Sequence, residues 1–125
     1  MANRGGNQRQ RYGRDGESAA AAYLETLGYD LLERNVQCGR WELDLIARTG
    51  STLVFVEVRS RSTSRYGCPS ETVGTRKQAH IVNAASLWLR GRRLAGPVRF
   101  DVIAVNWEAG RPFCRHFPDA FRSTF

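Results

Sequence analysis

At 125 residues the chain has room for one compact α/β domain, and its 42% hydrophobic content contains no apolar run near the roughly 18 residues of a membrane span. Nineteen Lys and Arg against twelve Asp and Glu leave a net charge of +7. That excess points to a polyanionic partner, because such cations displace the counterions condensed on phosphates. Three cysteines, Cys38, Cys68 and Cys114, are far apart and odd in number, which excludes a disulfide framework or zinc knuckle and fits a reducing cytoplasm.

Residues 1–13 place Arg4, Arg9 and Arg11 among Gly, Asn and Gln, and read as a disordered basic arm ahead of one domain over 14–125. The first six residues lack the apolar core of a secretion signal, which agrees with a cytoplasmic location. Asp15 is placed as a helix N-cap with Glu17 in the first turn. The Ala-rich run that follows favours a helix to Leu27, and Gly28 supplies a stop. Residues 29–36 can form a strand turning at 37–40. Residues 41–48 alternate, which predicts Glu42 and Asp44 on one face and Leu43 and Leu45 on the other. A tight connection at 49–51 leads into 53–59, apolar on both faces until Glu57, as a buried central strand would be.

Residues 60–70 read as a polar loop bearing Arg61 and Arg65. A helix is predicted over about 74–90, with Ile81, Ala84, Ala85 and Trp88 inward. A basic linker, an apolar strand over 98–105 and a short edge strand over 112–117 complete the chain. The order helix, three strands, helix, two strands predicts an α/β fold, with a mixed central sheet carrying a helix on each side.

A carboxylate inside an apolar strand costs several kcal/mol if charged and unpaired. If the hairpin brings Glu42, Asp44 and Glu57 together, their repulsion demands Arg, Lys or a divalent cation among them. Alternatively, Glu42 and Asp44 lie on a solvated edge and Glu57 pairs with Arg59 or Arg76. Asp101 reads as a structural partner of Arg76, Lys77 or Arg99. His80 and His116 read as surface or packing residues, and the three Trp as core, with Trp41 the one beside the acids.

Gly16-Glu17, Tyr23-Leu24, Gly28-Tyr29, Glu33-Arg34-Asn35, Glu42-x-Asp44-Leu-Ile-Ala, Val54-Phe-Val-Glu57-Val and Arg99-Phe-Asp101-Val-Ile resemble, in that order, the bacterial YraN-like family. Those proteins resemble the PD-(D/E)XK nuclease superfamily, whose relatives include Holliday-junction resolvases, RecB-like nucleases and restriction enzymes. The resemblance implies a restriction-endonuclease-like core and a Mg²⁺- or Mn²⁺-dependent endonuclease acting on nucleic acid, DNA ahead of RNA, branched or otherwise structured. It also implies a homodimer. Asp44 and Glu57 match the motif acids, Glu42 lines the same site, and Glu17 matches an acid that relatives aim at the metal. The motif Lys is replaced by Arg59, which effectively cannot shed a proton; Lys77 is the alternative cation, next to Gln78, which resembles the helix glutamine of some RecB-like relatives. Arg11, Arg14, Arg61 and Arg65 are expected to neutralise flanking phosphates. The rival reading is a nucleic-acid-binding module that keeps the fold and has lost cleavage.

Overall fold

The computed structural model describes residues 8–61, 73–94 and 96–123, the side chains of 8–14 and 61 excepted. The elements are α1 (Gln8–Thr26), β1 (Asp30–Cys38), β2 (Trp41–Thr49), β3 (Thr52–Arg61), α2 (Thr75–Leu89), β4 (Val98–Glu108) and β5 (Arg111–Phe121). They form one five-stranded sheet in the order β1-β2-β3-β4-β5. All neighbours are antiparallel except β3 and β4, which run parallel and are joined through α2. Among the described residues no helix is long and apolar enough to cross a membrane.

Alternation in the strands sends side chains to two cores. On one face Ile81, Ala84 and Ala85 of α2 meet Ile46, Phe55, Phe100 and Val102. On the other, Ala20, Ala21 and Leu24 of α1 meet Leu45, Val54, Val56 and Ile103. Trp88, Phe55, Phe100 and Phe121 pack ring to ring, with centroids 5.8, 5.5 and 5.2 Å apart. Contacts of this kind each add about 0.5–1.5 kcal/mol beyond the area they bury.

Strand β3 takes in Ser60 and Arg61, expected in the following loop, and β4 runs to Glu108 rather than 105; two other ends differ more. Helix α1 begins at Gln8 rather than at Asp15, so residues 8–13, expected within a disordered arm, are helical, as their Gln and Arg favour; residues 1–7 lie outside the described residues. Its other end is as expected: Gly28, at φ 90°, donates to the Glu25 carbonyl while Tyr29 N–H reaches that of Leu24, a left-handed stop that glycine adopts without strain. Strand β5 runs on to Phe121 because Asp101 anchors it. The Asp101 carboxylate is fully buried, yet it accepts two bonds from Arg99 (2.8 and 2.7 Å) and one from the Asp119 N–H (3.0 Å), and lies 2.7 Å from His116. This satisfaction holds its pKa below the ordinary carboxylate value despite burial, and it fastens the irregular end of β5 where Asp119 takes φ 55°.

Candidate active site

The site is made where β2 parts from β3. Their ladder runs from Thr49↔Thr52 to Leu45↔Val56 and goes no further. Asp44, the next residue, takes over the role of the lost backbone partner: its Oδ2 accepts the Val58 N–H at 2.9 Å. The strand's alternation breaks at the same point. Leu43 joins the core beneath α2 and Leu45 the core beneath α1, so these two leucines do not share a face as their spacing predicted. Opposite Asp44 in β1 stands Asn35 at φ 51°, a left-handed conformation that Asn tolerates better than most side chains. This twist turns two consecutive residues towards α1: Arg34 donates to Ser18 at 3.0 Å, and the Asn35 side chain hydrogen-bonds Glu17.

In the parted seam the Asp44 and Glu57 carboxyls are in hydrogen-bond contact with each other. Glu57 is 5% exposed. On the α2 side its Oε2 lies 3.6 Å from Arg59 and 3.8 Å from Lys77 Nζ. On the α1 side stands Glu17, which feels the charges of both Asp44 and Glu42. Its approach depends on Gly16, where a Cβ would stand 2.8 Å from the Cβ of Ser60; glycine lets α1 lie directly on β3. Of the acids singled out from sequence, Asp44 and Glu57 touch, Glu17 lies within their field, and Glu42 is exposed with its charge felt at Glu17. Gln78 is turned away, donating to the Val73 carbonyl at 2.8 Å. Arg65 and the side chains of Arg11, Arg14 and Arg61 lie outside the described residues.

Burial pushes all three inner acids up. Asp44 is raised first by burial, opposed by the Val58 N–H, its contact with Glu57, Lys77 and Arg59. Glu57 is driven to about 8 by burial and then by the Asp44 charge, which Lys77 only partly offsets. Glu17 rises to about 7 by burial and by Asp44, against the bond from Asn35. Asp44 and Glu57 therefore behave as a pair that retains one proton near neutral pH unless a cation displaces it. Among the described residues no three His, Cys, Asp or Glu side chains are grouped as a ready-made metal cage. Two touching carboxylates nonetheless fit Mg²⁺, which commonly uses one or two protein carboxylates and completes its shell with water and substrate phosphate.

Asn35 is a neighbour of the candidate site that the sequence alone does not single out. The signal in the Glu33-Arg34-Asn35 run is an Asn, a residue suited to positive φ, inside a strand.

A family model described as "Uncharacterised protein family UPF0102" matches residues 16–105, a span holding every acid of this site. A UPF0102 protein of Anaeromyxobacter dehalogenans is 48% identical over 117 residues, covering 93% of this chain and 87% of that protein. One from Geobacter metallireducens is 43% identical over 90% of this chain and 93% of its own length. One from Syntrophus aciditrophicus is 48% identical over 94% of each.

Proposed function

The chain belongs to the uncharacterised family UPF0102, and we propose that it is a divalent-metal-dependent nuclease of the PD-(D/E)XK type, acting on nucleic acid and on DNA ahead of RNA. The observation that carries this reading is the buried Asp44–Glu57 contact, flanked by Arg59 and Lys77, in a chain of net charge +7. A purely structural acid pair in that position would be a standing liability, since two carboxylates in contact repel unless a proton or cation joins them. Asp44 and Glu57 would hold Mg²⁺ or Mn²⁺, with Glu17 and Glu42 on the α1 side to complete or orient its surroundings. Such a cation, when bound, stabilises charge growing on a phosphoryl oxygen and lowers the pKa of water. The Val58 N–H fixes the Asp44 carboxylate. Arg59 and Lys77 place two positive charges where the phosphate would sit, lowering the barrier by favouring the more highly charged transition state. A cytoplasmic homodimer belongs to the same proposal.

Arg59 keeps a second reading in view, a binding module that has lost cleavage, because it stands where the motif has Lys and cannot act as a proton acceptor. The test is cleavage of labelled single-stranded, duplex and branched DNA with Mg²⁺ or Mn²⁺. Wild type is expected to cut, while Asp44→Asn and Glu57→Gln lose at least about 100-fold. Unimpaired cutting by either variant rejects the catalytic assignment. Binding without cutting, unchanged by Arg59→Lys, favours the module.

A further inference from the structure

We infer that Trp41 and His80 form a stacking platform for an unpaired nucleotide that flanks the phosphate at Asp44 and Glu57, so that the substrate is single-stranded or locally unpaired beside the point of attack. This inference rests on the nuclease reading for its direction but has its own geometry. The Trp41 and His80 rings are stacked, with centroids 5.6 Å apart and planes inclined by 26°. Arg40, exposed in the β1–β2 turn, brings its guanidinium to 5.8 Å from the Trp41 ring centre. Trp41 packs against the core beneath α2, and both residues are half-buried.

The place of this pair in the fold ties it to the acids. His80 follows Lys77 by three residues on α2, which puts both on one helical face. Lys77 is itself 3.8 Å from Glu57. Trp41 lies three residues before Asp44 in β2, about 10 Å along the strand. The acids, Lys77, and the His80–Trp41–Arg40 group thus form one continuous track, in which cations for phosphates alternate with flat faces for bases. That combination is how single-stranded nucleic acid is held without reading its sequence. A B-form duplex cannot use the platform, because its base faces are already stacked on each other.

The surroundings of Trp41 differ from those of the other two tryptophans. Trp88 and Trp107 donate their indole N–H groups to Glu33 and Ser60 at 2.9 and 2.8 Å, as half-buried tryptophans usually do. Trp41 has no such partner among the described residues, and its ring is faced instead by a histidine and an arginine.

The experiment measures binding of the full chain, in EDTA so that nothing is cut, to a labelled oligo-dT strand and to a matched duplex. Fluorescence anisotropy gives the affinity, and melting curves verify that each variant is folded. Wild type is expected to prefer the single strand. His80→Ala and Trp41→Ala should each weaken single-strand binding on the order of tenfold, with duplex binding little changed and Trp41→Phe retaining most of the affinity. If Trp41→Ala does not fold, His80→Ala and Trp41→Phe decide the matter. Equal affinity for both forms, or undiminished single-strand binding by the variants, overturns the platform and leaves the nuclease reading to its cleavage test. Stacking-dependent binding by a protein that never cuts has the reverse meaning: the platform stands and the nuclease reading falls. If no nucleic acid binds, the platform falls and the nuclease reading is again left to its cleavage test with Mg²⁺ or Mn²⁺.

Discussion

Burial raises both Asp44 and Glu57, which touch each other, so removing one charge is expected to have opposite effects on stability and on the proposed metal binding. Asn at position 44 can still accept the Val58 N–H, while Lys77 and Arg59 are left to serve Glu57 alone. Apo Asp44→Asn is therefore expected to melt higher than wild type at pH 8, by about 4 °C or roughly 1 kcal/mol. Its Mn²⁺ affinity, read by calorimetric titration, should fall at least about tenfold. A lower melting temperature would show that Asp44 is a structural acid. Asp101 is expected to give the opposite result because its charge is satisfied: Asp101→Asn breaks the ion pair with Arg99, leaves that guanidinium bonded to Tyr29 and loses the contact that helps fasten the end of β5, at a cost of about 3 kcal/mol in chemical denaturation. The identities of these acids were legible because a carboxylate in an apolar strand needs a reason. The contact of His116 with Asp101 was not, since it joins residues whose closeness is set by how β5 folds back.

At the level of elements, the chain order and the mixed sheet followed from periodicity and turn residues, and the observed strands keep that order. What alternation could not supply was the break in β1 and β2 at Asn35 and Asp44, because a strict two-residue period places Leu43 and Leu45 together. The break depends on a backbone conformation and on a side chain, and two substitutions separate them. Asn35→Gly keeps the left-handed backbone without strain but loses the bond to Glu17. It should melt within about 0.5 kcal/mol of wild type, a near-neutral change, while any metal-dependent cleavage falls about tenfold. Asn35→Ala should lose a further ~1 kcal/mol of stability, since it must hold φ 51° with a Cβ. Equal stability of the two variants would remove the backbone half of this argument. The seating of α1 is tested at Gly16. Alanine there gains about 1 kcal/mol of helix propensity but drives a Cβ to 2.8 Å from Ser60, whose hydroxyl is held by Trp107. Overpacking of this kind costs about 1–3 kcal/mol, so the clash wins and the melting temperature of Gly16→Ala should fall.

Across the whole molecule, two sets of carboxylates pull stability in opposite directions as pH changes. The pKa of Asp101 is lowered on folding, so its contribution is present above the ordinary carboxylate range and is lost as the solution becomes more acidic. Glu57 and Glu17 are raised from 4.5 to about 8 and about 7, so the folded state holds protons that the unfolded chain has released. Stability therefore falls as pH rises from about 4.5 through 8, the reverse of the usual carboxylate effect. The profile of the metal-free protein should peak near pH 5 and decline towards pH 8, and the Asp44→Asn variant should lessen that decline, because burial, the larger cause, still raises both glutamates while the Asp44 charge that adds to it is gone. Added Mn²⁺ should restore stability chiefly at the alkaline end, because a cation competes with the proton retained by Asp44 and Glu57. Melting curves across pH, with and without Mn²⁺, test these signs together. A metal-free protein that grows steadily more stable up to pH 8 would mean that the buried pair is already neutralised, and that the seam between β2 and β3 has no vacancy for a divalent ion.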